Sequence, residues 1–162
     1  MAELTKIEDK LGEVLGLAKA AEDATQRVGR LVEDEAIQQE LATMREEAAE
    51  TARRCEELAG SLEGRKTAIL EKGRETKGEA VEMMRTYLGD DAEGLDGLEF
   101  LTMAEAGEVG HWEILGKLAE RADDPRFAEL AAWATPIQER HLATVRQGSL
   151  ALAAAEDPSE PA

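Results

Sequence analysis

One cysteine, two histidines, four prolines and a handful of aromatic residues are all that this chain of 162 residues contains of those types. The single Cys55 excludes an internal disulfide framework and fits a cytoplasmic location. With aromatics at 3%, a core must be built from Leu, Ala, Val, Ile and Met, and little supports a sheet. No run approaches the roughly 18 apolar residues of a membrane span. The first residues, Met1 to Lys6, lack a basic region followed by an apolar run, so no secretory leader is read. Basic excess is missing as well: 19 Lys and Arg stand against 36 Asp and Glu, a net charge of −17. Nucleic acid and anionic membrane surfaces are therefore not expected partners, because phosphate binding needs clustered Lys and Arg. The acidic balance reads first as a solvated surface, with a weak, salt-dependent attraction for cations.

Helix-forming residues are what the chain has in abundance. Charged residues make up 34%, dominated by Glu, Arg and Lys, and apolar positions recur at three-and-four spacing. Residues 4–30 carry Leu11, Val14, Ala18, Ala21, Thr25 and Val28 on one stripe. Residues 34–62 carry Ile37, Leu41, Met44, Ala48, Cys55 and Leu58. A weaker helix over 66–88 is interrupted by Gly73 and Gly78, each unfavourable by about 1 kcal/mol relative to Ala, which points to a bent or poorly ordered segment. Residues 95–122 show Leu98, Leu101, Glu108, Leu115 and Leu118, and 125–154 show Phe127, Leu130, Ala134, Ile137, His141 and Val145. Short turns join the first two helices and the last two, so each pair should form an antiparallel hairpin. The expected architecture is all-α: an antiparallel four-helix bundle with an extra, shorter helix between its hairpins. One domain spans 1–154, and the polar, proline-containing tail 155–162 reads as disordered.

Both histidines lie mid-stripe or beside it, three residues after a polar partner: Glu108 with His111, and Gln138 with His141. Residues three apart share a helix face. If the last two helices fold back about residue 124, positions summing to roughly 249 face each other. Glu108 then opposes His141 and His111 opposes Gln138, all in one layer of the bundle. Such a layer suits a metal site, and it equally suits a buried hydrogen-bonded network without metal. Thr135-Pro136-Ile137-Gln138 also reads as a helix restart, with Gln138 serving a capping box. Glu105 reads as a supporting partner or a solvated residue, Trp112 and Trp133 as packing residues, and Cys55 as an inert buried thiol.

The run Glu108-Val109-Gly110-His111-Trp112-Glu113-Ile114, followed by Leu115, Leu118 and Ala119, resembles a signature of small stress-associated ferritin-like proteins. These are relatives of rubrerythrin and the ferritins. Gly64 to Gly73 resembles the short helix preceding that signature, and the Phe127 to Val145 helix resembles the family's last core helix. The resemblance implies a ferritin-like bundle with a two-metal carboxylate centre, binding iron or manganese and acting in ferrous oxidation, peroxide removal or iron handling. Carried over residue by residue, it implies ligands at Glu108, His111 and His141, with Gln138 where a Glu is the norm. In the first hairpin it implies Glu22, with Glu47 or Glu50. No histidine stands there, and Arg53 follows Glu50 where a His would be expected. Two other readings stay open: a ferritin-like scaffold that has lost its metals and acts through protein contacts, and an unrelated helical interaction module. A homodimer or higher homo-oligomer is expected, since small bundles pair along a helix face.

Overall fold

Residues 3–162 are described by a computed structural model. Met1 and Ala2, where the leader reading begins, lie outside the described residues. Five helices occur among the described residues: α1 (Lys6–Leu31), α2 (Glu35–Ser61), α3 (Lys66–Tyr87), α4 (Gly94–Ala119) and α5 (Arg126–Ala155). No strand occurs among the described residues, and none of these helices is long and apolar enough to cross a membrane.

Local chemistry sets the boundaries. Thr5 opens α1 through a reciprocal pair: its hydroxyl accepts from Glu8 N at 3.3 Å, and Glu8 Oε2 accepts from Thr5 N at 2.8 Å. That box satisfies two otherwise orphaned donors. Asp34 caps α2 by accepting from Ile37 N at 3.0 Å. Gly64, at φ 73°, makes the left-handed step between α2 and α3, a conformation that favours glycine. Arg65 then pairs with Glu8 at 2.7 Å, fastening the α2–α3 turn to the start of α1. Beyond α5, residues 156–162 are exposed, and Asp157 organises a short turn by accepting from Ser159 N at 2.9 Å.

The packing forms the two antiparallel hairpins, α1 with α2 and α4 with α5. They assemble through α1 against α4 and α2 against α5. Helix α3 returns along the bundle parallel to α1. Arg65 meets Glu8 near its start, and Arg27 donates to Leu88 O at 2.5 Å just past its end. It runs as one unbroken helix. Gly73 is buried, not a weak point, and the reason is close approach. A Cβ at Gly16 would stand 2.4 Å from Gly73 O, and one at Gly12 would stand 2.7 Å from Lys72 Cβ. Small residues at this seam let two helix backbones approach closely. Gly78 faces open space and retains only glycine's entropic disadvantage. Gly78→Ala is therefore expected to stabilise the protein by about 0.5–1 kcal/mol, visible as a rise of roughly 1–4 °C in Tm by circular dichroism.

Pro136 does not restart α5. The helix runs unbroken through it, because Pro136 lies on the exposed face. Ala132, whose carbonyl loses its helical partner, is exposed too and can be hydrated. The capping-box role expected of Gln138 is absent, and its side chain is free to point inward.

Two apolar clusters form the core. One gathers Leu11, Val14, Leu15, Cys55, Trp112 and Leu115 at one end of the bundle. The other gathers Val28, Ile37, Leu41, Leu98, Leu101 and Val145 at the opposite end. A polar layer separates them.

Candidate functional site: a polar layer across the bundle

The buried polar side chains of the bundle are Thr25 on α1, Thr51 on α2, Glu105 and Glu108 on α4, and Gln138 and His141 on α5, and the layer is formed by the last four. The two threonines return their hydroxyl protons to their own helices, Thr25 to Ala21 O at 2.7 Å and Thr51 to Glu47 O at 2.9 Å. They add little charge compensation. Glu105 and Glu108, 1% and 4% exposed, sit one turn apart on α4, and both turn toward Gln138. With its amide nitrogen inward, Gln138 donates to Glu105 Oε2 at 3.1 Å and to Glu108 Oε2 at 3.2 Å. With its oxygen inward, three acceptor oxygens face one another without a proton between them. Burial, then repulsion from Glu105, raises the Glu108 carboxyl well above the usual carboxylate range.

His141 bridges inward and outward. Its Nδ1 lies 3.7 Å from Glu105 Oε2, and its Nε2 lies 3.4 Å from Glu47 Oε1. Glu47 closes the layer at the α2–α5 edge, where it also pairs with Arg140. Cys55 is fully buried nearby. Burial first, then Glu56 and Glu108, push its thiol far up, so it is the inert thiol expected. Trp112 is buried in the adjoining cluster, its indole N–H without a partner among the described residues.

The register differs from the expected one by three residues. Glu105 faces His141, and Glu108 faces Gln138. The non-helical link runs from residue 120 to 125, so the hairpin's midpoint lies earlier than residue 124. His111 consequently does not face Gln138, nor does it lie in the layer. Spacing alone offers either His111 or Trp112 for the next buried position, and the larger apolar surface of Trp112 occupies it. His111, with a side chain 38% exposed, turns to α1, where its Nδ1 lies 3.1 Å from Glu13 Oε2 and 3.1 Å from Lys10 Nζ. Partial burial and then the Lys10 ammonium hold the His111 imidazole below its ordinary value, against the pull of Glu13.

The first-hairpin candidates separate similarly. Glu47 belongs to the layer's edge. Glu50 is a surface residue whose carboxyl is held down to about 2 by hydrogen bonds from Arg53 and Arg54. Glu22 lies among Asp23, Lys77, Arg45 and Lys19, and partial burial, then Asp23, raises its carboxyl. Glu105 is the residue that spacing undervalued. The signal was present, since it alternates with Ala104 on the apolar stripe.

Among the described residues no three His, Cys, Asp or Glu side chains form a group that could hold a metal ion. The third donor beside Glu105 and Glu108 is the Gln138 amide. Comparison with family models, with curated proteins and with solved structures returns no match for this chain.

Proposed function

We propose that this chain is a ferritin-like helical bundle that holds a single iron or manganese ion in its polar layer. Two antiparallel hairpins joined by a helix running the bundle's length form the kind of connection that ferritin-like bundles use. The observation that carries the metal reading is the burial of Glu105 and Glu108 with one amide and one imidazole as their compensation. A carboxylate in a core is costly unless it is paired or bound to a cation. The donor set does not fit a two-metal centre. Among the described residues the only buried polar side chain of α1 is Thr25, whose hydroxyl is taken up by its own helix, and Glu22 and Glu50 are not fully buried. It fits one ion held by Glu105, Glu108 and the Gln138 oxygen, with His141 and Glu47 beside them. Such oxygen and imidazole donors suit iron or manganese, which would supply Lewis-acid or one-electron chemistry there. In the empty layer, the Gln138 nitrogen turns inward and donates one hydrogen bond to each carboxyl group, and burial raises the Glu108 carboxyl above its usual range.

A second reading has its own support. The inward nitrogen of Gln138 already joins Glu105 and Glu108, so the layer can act without metal as a polar network that fixes helix register. Metal content after anaerobic loading with Fe²⁺ or Mn²⁺ and desalting separates the two. About one ion per chain is expected in the parent and in His111→Ala, and none in Glu105→Gln, Glu108→Gln or His141→Ala. No ion in a parent of intact helicity would overturn the metal reading and leave the network.

A further inference from the structure

Helix α3 lies against α1 but scarcely approaches α4. Tyr87 and Phe100, their rings 6.0 Å apart, bring the two together near one end. Between them opens a cavity of about 370 Å³, within the range of roughly 300–1,000 Å³ typical of small-molecule sites. Its floor is α1, where Ala20, Ala21 and Ala24 leave the room. Its walls carry Met83 and Met84 from α3 and Met103 from α4, flexible thioethers that adapt to an apolar shape. Met83 and Met103 are 52% and 40% exposed, so the mouth is apolar too.

The cavity also reaches the polar layer. Glu105 and Glu108 both line it, although each is more than nine-tenths buried. Apart from the Gln138 amide, no hydrogen-bond donor serves either carboxylate among the described residues, and His141 stands off at 3.7 Å. Two carboxylates therefore present free acceptor positions at the inner end of an apolar slot. The remaining titratable groups on the lining are Glu13, Glu79, Lys72 and His111, which leaves carboxylates in excess. The complementary ligand has donors rather than acceptors at its head, and an apolar body.

We propose that this cleft binds a small amphiphilic amine, its protonated nitrogen donating to Glu105 and Glu108 and its hydrocarbon lying between Met83, Met103 and the α1 alanines. An ammonium supplies up to three donors and a compensating charge. The inference goes beyond the metal reading and needs no ion.

Titration calorimetry on the chelator-treated full chain, with n-octylamine, n-octanol and n-octanoate, tests it. Octylamine is expected to bind roughly tenfold or more tightly than octanol, and octanoate the most weakly. Glu105→Gln should weaken octylamine by roughly tenfold while leaving octanol within about threefold. Gly107 also lines the cavity, and a Cβ there meets nothing within 4 Å. Gly107 is exposed, so a Gly107→Phe ring laid over the lining should weaken binding of both ligands while the thermal melt stays cooperative. Equal affinity for amine and carboxylate, or amine binding indifferent to Gly107→Phe, would overturn the proposal. So would a chain that binds no amine and sediments as a dimer that Gly107→Phe dissociates, because a second copy would then occupy the cleft. Metal loading of the same variants reads the polar layer separately, so failure of one reading leaves the other visible.

Discussion

Gly16→Ala is expected to destabilise the protein by about 2 kcal/mol, lowering Tm by roughly 4–8 °C. Alanine is intrinsically the better helix former, by about 1 kcal/mol, so this loss must come from packing. The new methyl group would meet Gly73 O at 2.4 Å, Thr76 Cβ at 2.8 Å and Lys77 N at 2.9 Å. Two of these are backbone atoms, which cannot rotate away, so α3 must slide off α1. The same change at Gly78 has the opposite expected sign because nothing faces it. Urea denaturation of both variants checks the pair. A Gly16→Ala protein as stable as the parent would show that the seam yields without cost.

Removing the buried acid at Glu108 should act through pH. In chelator-treated protein, Glu108→Gln is expected to match the parent below about pH 4.5 and to become progressively more stable above it. Below the ordinary value of 4.5, both the folded and unfolded parent hold the proton. As pH rises, the unfolded chain releases it first, because burial and Glu105 raise the folded-state value. Parental stability then falls by up to about 1.4 kcal/mol per pH unit until the folded pKa is passed, where the loss is complete. Glutamine has no such step. Glu8 and Glu13 are held low, Glu8 chiefly by hydrogen bonds from Arg65, Glu13 by Lys10 against its burial. They lose stability on the acid side in both proteins and cancel in the difference. Parallel pH profiles for parent and variant would show that Glu108 is ionised in the fold at no expense.

The sequence made α1, α2, α4 and α5 legible because each carries an apolar stripe, whereas α3, with few buried apolar positions, read only as a weaker helix. The two hairpins and the intervening α3 followed from turn lengths. The polar layer was legible as a place, through Glu108, Gln138 and His141, but not in its register. Two consequences came from one geometric ambiguity. A three-residue shift in the α4–α5 link moved Glu105 into the centre, and the choice between i+3 and i+4 gave the buried position to Trp112 instead of His111. Gly73 misled for a different reason: glycine lowers helix propensity whether or not a neighbouring helix needs the space. The cleft left no local signal, since it depends on which helices stay apart.

The course of α3 also constrains the order in which the molecule can assemble. Its contacts with α1 join residues some 57 to 61 apart in the chain, and α2 lies between them. Closing so long a loop without intermediate contacts is entropically unfavourable. Formation of the α1–α2 hairpin brings the start of α3 to Glu8 and shortens the effective loop to the Gly64 turn. The glycine seam is thus expected to close after the α1–α2 hairpin has formed. Because α1 is also the floor beneath α4, the cleft comes into being only when both halves of the chain have met on the same helix.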